Sequence, residues 1–182
     1  MEVETVDERW PGVIWPDDEP RQKGTHLSDL TRPLLKDMGY WKGKGGFTDM
    51  ELTAEIGTLW EEIYSRCMAD KYIFKPPQIQ KDGIWLAPDG IGPDPAGIVP
   101  LVVEEVKFTW KSTKSCPTEQ LHYMLQLKSY CYALDTTVGI MRIFHCMGDY
   151  KGSGPIYRVS RIVFTQRELE RNWEMILRAR DK

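Results

Sequence analysis

Four side chains in this sequence have the type and spacing to do chemistry together: Glu61, Asp89, Glu105 and Lys107. The run Leu101–Phe108, LVVEEVKF, carries Glu104, Glu105 and Lys107 where strands usually hold Val, Ile or aromatic residues. Strand alternation puts Glu105 and Lys107 on one face with Leu101 and Val103, and Glu104 on the other with Val102, Val106 and Phe108. A carboxylate and an ammonium two residues apart on one face form either an ion pair or a working pair, the acid holding a cation while the ammonium orients or activates water. Asp89, in Pro88-Asp89-Gly90, closes the short apolar run GIWLA; an Asp before Gly is first of all a turn residue. Three acids and a lysine on neighbouring elements also match the needs of phosphodiester hydrolysis. Carboxylate oxygens suit Mg²⁺ or Mn²⁺, and one or two such ions stabilise the transition state and lower the pKa of the attacking water.

The elements that must position these groups can be read from periodicity and punctuation. Thr48-Asp49-Met50-Glu51 reads as a capping box opening a helix to about Asp70. On that helix Leu52, Ile56, Leu59, Ile63 and Cys67 form an apolar stripe, expected to be the buried one. Glu62 and Arg66 form an i,i+4 pair of a solvated face. Glu61 belongs to neither set and lies near Gly57 and Tyr64, so it needs a partner: an internal ion pair, a tyrosine hydroxyl or a metal. Upstream, SDLTRPLLKDM reads as a short helix closed by Gly39, with Pro33 expected near its first turn. GYWKGKGGF reads as a turn or a mobile basic lip. Strands are expected at Gly83–Ala87 and 101–108, and a helix from Pro117 to about Leu134. A strand pair at 140–147 and 156–164, then a helix capped by Thr165-Gln166-Arg167-Glu168, complete the order. The expected class is α/β or α+β, a central mixed sheet flanked by helices.

At these residues the sequence resembles the PD-(D/E)XK nuclease superfamily. Pro88-Asp89, a 15-residue interval and then Glu105-Val106-Lys107 fit its pattern. The chain is most similar there to the RecB-like and phage lambda-type (YqaJ-like) exonucleases. Gly57-Thr58-Leu59-Trp60-Glu61 resembles their helical G-x-x-x-E element, and Gln126-Leu127-Lys128-Ser129-Tyr130 resembles a Q-x-x-x-Y element. The resemblance implies a restriction-endonuclease-like core. It implies Glu61, Asp89, Glu105 and the Val106 carbonyl as ligands of one or two Mg²⁺ or Mn²⁺ ions, and Lys107 as the group that positions water. Gln126 and Tyr130 would contact DNA or support the site, unless they are helix-packing residues. Ser28 and Arg32 fall roughly where lambda-type enzymes bind a terminal 5′ phosphate, and Lys111 and Lys114 could line the DNA path; surface roles stand beside each. Pro93-Asp94 is a second "PD" at tolerable spacing, and Glu104 could replace Glu105 only in a shifted register.

Composition bounds these readings. The 182 residues, 41% hydrophobic and 28% charged, fit one domain at 25–182 behind an acidic arm at 1–24 that holds Trp10 and Trp15 and is expected to dock on the body. The net charge of −3 is concentrated in that arm and leaves the body near neutral, which permits a phosphate-binding groove without demanding one. No apolar run is long enough to span a bilayer and the N-terminus lacks signal-peptide character, so a cytoplasmic protein is expected, in a bacterial host if phage encoded. Cys67, Cys116, Cys131 and Cys146 are widely spaced; they read as mostly buried thiols, and an iron–sulfur cluster is not expected. The functional expectation is a Mg²⁺-dependent DNA exonuclease, 5′-to-3′ from DNA ends, in phage-type recombination or DNA processing. The resemblance adds a single-strand annealing protein as partner and ring-shaped homo-oligomers. A structure-specific or restriction-like endonuclease stays open beside it, as does a catalytically silent nucleic-acid-binding module.

Overall fold

A computed structural model of the chain describes residues 21–40, 50–114, 116–152 and 154–182. The Thr48-Asp49 start of the capping box, most of the GYWKGKGGF loop and the tryptophans of the arm lie outside the described residues. The chain forms β1 (Thr25–His26), α1 (Leu27–Asp37), α2 (Met50–Met68), β2 (Ile73–Phe74), β3 (Ile79–Lys81), β4 (Ile84–Leu86), β5 (Gly90–Gly92) and β6 (Val102–Thr109). A 3₁₀ turn (Pro117–Glu119), α3 (Leu121–Ala133), β7 (Val138–His145), β8 (Ile156–Val163) and α4 (Gln166–Arg180) follow. β2-β5-β6-β7-β8 make a five-stranded mixed sheet and β1-β4-β3 a three-stranded one. β6 and β7 run parallel, as their connection through α3 requires; β5–β6 and β7–β8 are antiparallel. This is the α+β arrangement expected.

The central sheet is covered on both faces. Val103, Met141 and Ile143 meet α1, α3 and α4 in the main core with Leu125, Leu127, Leu169, Trp173 and Ile176. Each of these fully buried side chains contributes about 1.5–3 kcal/mol by removal from water. α4 enters through the expected cap: Thr165 Oγ1 accepts from Glu168 N at 3.2 Å, and Glu168 Oε2 accepts from Thr165 N at 2.8 Å. Leu169, Trp173 and Ile176 then recur at helical spacing on its buried side.

α2 covers the other sheet face, and not through the stripe expected of it. Leu59, Ile63 and Cys67 are exposed. Trp60 and Tyr64 pack instead, Trp60 against Phe144 at 4.4 Å between ring centroids and Tyr64 against Phe74 at 5.2 Å. The aromatic rings bury more area than the aliphatic stripe could. That choice turns Glu61, one residue after Trp60, toward β5 and β6. Glu62 pairs with Lys75 Nζ at 2.5 Å rather than with Arg66.

Two smaller expectations change as well. α1 starts at Leu27, so Pro33 stands inside the helix on its exposed side instead of in the first turn. Of the four cysteines, Cys131 is buried and Cys146 half-buried, whereas Cys67 and Cys116 are exposed.

Candidate active site

Asp89 lies between β4 and β5, beside the end of the β5–β6 ladder. That ladder stops at Gly90↔Glu104. Two residues further along β6, Val106 N–H donates to Asp89 Oδ2 at 2.7 Å. The carboxylate takes over as acceptor where the neighbouring strand has ended, which fixes Asp89 against β6. By strand alternation the Val106 carbonyl faces the same open edge.

Glu105 and Lys107 project from the opposite side of β6 to Glu104. Lys107 Nζ contacts Glu105 Oε1 and stands 3.6 Å from Asp89 Oδ2, so the ammonium bridges the two acids. Glu105 is only 1% exposed, and neither of its oxygens accepts a hydrogen bond of acceptable geometry. Burial, with the charge of Asp89, raises its pKa to about 8 against the pull of Lys107. Glu61 on α2 is raised to about 7 by burial and by Asp89, with Lys107 and Lys75 opposing. Burial alone would lower the pKa of Lys107, but Asp89 and Glu105 override it and hold the ammonium well above its usual value. The four groups thus act on one another in one place.

Tyr130 on α3 reaches the same cluster. Burial and then the charges of Glu105 and Asp89 hold its phenol protonated. Gln126, one turn earlier, is half-buried. His122 is pushed down to about 4 by burial and by Lys111 and Lys107, so it is a neutral imidazole. Lys111 Nζ donates to Gln120 Oε1 at 2.6 Å, and Lys114 is exposed in the loop after β6. Ser28 and Arg32 are exposed on α1; Ser28 accepts from Arg21, and among the described residues no contact ties either to the carboxylates.

The alternatives left open by the sequence resolve structurally. Glu104 is fully buried on the α2 side and paired in two places with Arg142, including Arg142 Nη2 to Oε1 at 3.0 Å. Asp94 accepts from Ala96 N, Ile98 N and Val99 N and from Arg161 at 2.7 and 2.9 Å. It orders its own loop and fastens it to β8. Ser129 is fully buried, donating to Leu125 O and accepting from Asn172 on α4.

A cleft of about 350 Å³ opens beside the acids, with Glu61, Asp89 and Val106 in its wall. It is also lined by Phe74, Lys75 and Gln78, which sequence reasoning did not single out. Lys75 takes the left-handed backbone conformation, φ 46°, and its N–H donates to the Asp89 carbonyl at 3.0 Å. For a non-glycine residue this conformation costs on the order of 1–3 kcal/mol and is concentrated at functional sites. The one trace of it in the sequence is a lysine wedged before Pro76-Pro77 at a strand end.

Among the described residues no three acidic, histidine or cysteine side chains close into a ready-made metal cage. The donor set nevertheless fits a hard cation. It is all oxygen, it includes a buried carboxylate whose Oε2 has no hydrogen-bond partner, and two of its acids are held partly protonated by burial and mutual repulsion.

No protein-family model matches the sequence, and no curated protein matches it. Among solved structures the chain is similar to SSO0001, at 15% identity and TM-score 0.54, over 88% of this chain and 78% of that one. It is also similar to the alkaline exonuclease LHK-Exo from Laribacter hongkongensis, at 13% identity and TM-score 0.51, over 84% of this chain and 76% of that one. At such identities the likeness is one of fold. The chain shares the α+β fold of these two proteins, a mixed sheet flanked by helices.

Proposed function

We propose that this chain is a metal-dependent deoxyribonuclease acting from DNA ends, 5′-to-3′, in phage-type recombination or DNA processing. The observation that supports the reading is the cluster of Glu61, Asp89, Glu105 and Lys107, two of whose acids, Glu61 and Asp89, line the cleft. The exonuclease fold of a structural neighbour supports it. Polarity, a single-strand annealing partner, ring-shaped oligomers and a cytoplasmic setting belong to the same proposal and rest on the motif resemblance.

Glu61, Asp89, Glu105 and the Val106 carbonyl would hold Mg²⁺ or Mn²⁺. When bound, such an ion polarises the phosphoryl group and lowers the pKa of water. The chain's own groups do the rest. Lys107, protonated through the working pH range, serves as a cation that orients water and offsets phosphate charge, not as a base. Tyr130 offers its phenolic proton beside the acids, and Gln126 adds an amide on the same helical face. Lys111 and Lys114 supply charge along the strand exit, and Ser28 and Arg32 are the candidates for a terminal phosphate. In the reaction a water oxygen bonds to phosphorus, the bond to the leaving sugar oxygen breaks, and that oxygen takes up a proton.

The test is incubation of the protein with Mg²⁺ and end-labelled linear duplex, 5′-phosphorylated or not, beside a closed circle, with Lys107→Ala as control. Loss of label from linear DNA alone, reduced at least ~100-fold in Lys107→Ala, supports the reading. Cutting of the circle points to the endonuclease instead, and Mg²⁺ uptake without cleavage to a silent binding module.

A further inference from the structure

The cleft has a stretch of wall that the proposed chemistry leaves unused, made by Phe74, Lys75, Pro76 and Gln78. Gln78 Oε1 is buried and accepts no hydrogen bond. Such an acceptor is costly to leave unsatisfied and points to a donor that arrives with a ligand. Lys75 Nζ is held by Glu62, the lysine exposed and the glutamate half-buried. A pair open to solvent on the lysine side is screened, whereas a phosphate offers charge and several acceptor oxygens at once. Phe74 is half-buried and Pro76 buried, giving an apolar surface between the two polar groups. The volume of about 350 Å³ is at the low end of small-ligand pockets, about 300–1,000 Å³. It suits one nucleotide.

We propose that this wall is a nucleotide subsite. Lys75 leaves Glu62 for the phosphate next to the scissile bond, Gln78 Oε1 accepts from the exocyclic amino group of the base, and Phe74 lies against the sugar or base. The assignment rests on the nuclease reading and adds to it a preference at the terminal base. dA and dC carry that amino group on the same base edge, where dT and dG carry a carbonyl oxygen.

Two measurements on the full chain test this. The first is fluorescence anisotropy of a labelled single-stranded oligonucleotide in Ca²⁺, across a salt series. Lys75→Ala should weaken binding about tenfold and reduce the log–log salt slope by about 0.7, the signature of one lost phosphate contact on a single strand; Lys75→Arg should restore both. The second is kcat/KM in Mg²⁺ on oligonucleotides that differ only in the terminal nucleotide. The wild type should favour dA and dC ends several-fold over dT and dG, and Gln78→Leu should level the four; Gln78→Met repeats the test with an unbranched side chain.

An unchanged salt slope in Lys75→Ala, or equal rates on all four ends in the wild type, overturns the subsite while leaving the nuclease reading intact. Binding that Lys75→Ala weakens as described, in a chain that cleaves nothing, keeps the phosphate contact and removes the nuclease reading. A wild type that binds no oligonucleotide overturns both.

Discussion

Glu105 shows how a single side chain reports on its use. A carboxylate 1% exposed, touching an ammonium but accepting no well-formed hydrogen bond, has been removed from water for something other than stability. The consequence is a pH dependence with a definite sign. Glu61 and Glu105 are held near 7 and 8 against an ordinary 4.5, so the folded chain keeps protons that the unfolded chain releases. Their contribution to stability is whole below about 4.5 and is lost as the pH rises through about 7 to 8. In EDTA the melting temperature should therefore fall between about pH 4.5 and about pH 8, and added Mg²⁺ should raise it more at the alkaline end, where the acids are ionised. A melting temperature indifferent to pH and Mg²⁺ would count against the cluster. Glu105→Gln should abolish that Mg²⁺ response in calorimetry while leaving a folded protein, because the amide keeps the shape and gives up the charge.

At the scale of the element, β6 is two strands in one, and its alternation is what the sequence made most legible. Glu105 and Lys107 fall on one face and Glu104 on the other, as period two requires. What alternation could not reveal is the partner of Glu104: Arg142 lies two residues out of register on β7, opposite Val106, and is flanked by the rings of Tyr64 and Tyr72 at 5.2 Å each. Removing Arg142 alone should cost about 3–5 kcal/mol by stranding a buried charge, whereas Glu104→Met with Arg142→Met should be close to neutral; a denaturant double-mutant cycle measures both. α2 packs through a different flank from its aliphatic stripe: a helical wheel weighs hydrophobicity and not area, and Trp60 and Tyr64 pack on the sheet instead. The wheel still singled out Glu61, since an acid between Gly57 and Tyr64 is anomalous whichever flank packs. α3 is set by Gly139 on β7, where an added Cβ would lie 2.7–2.8 Å from three Leu127 carbons. Gly139→Ala should destabilise by about 1–3 kcal/mol through overpacking. By lifting the helix that carries Tyr130, it should also lower the cleavage rate more than the melting curve alone explains.

Over the whole molecule, the site gathers residues that are distant in sequence: α2, the β4–β5 turn, β6 and α3. The order of the elements and the pattern Asp89, Glu105, Lys107 could be read from one sequence because each leaves a local mark in alternation or capping. The small sheet β1-β4-β3, the short strands β2 and β5, and the Lys75–Gln78 wall could not. Two- and three-residue strands have too little sequence to show a period, and pairings such as Thr25 with Ile84 are made by tertiary packing. The structure also explains why only one of the two "PD" pairs faces the acids. Asp94 is committed to Arg161 and to three backbone amides of its own loop.

The modest volume of the cleft sets a rule for the DNA outside it. If the pocket admits a lone nucleotide, a blunt duplex must breathe open at its tip before each turnover. Digestion of A·T-capped ends should then outrun that of G·C-capped ends, and a terminal mismatch should outrun both. In stopped-flow traces of such substrates, the melting of the last base pair would set the tempo of digestion.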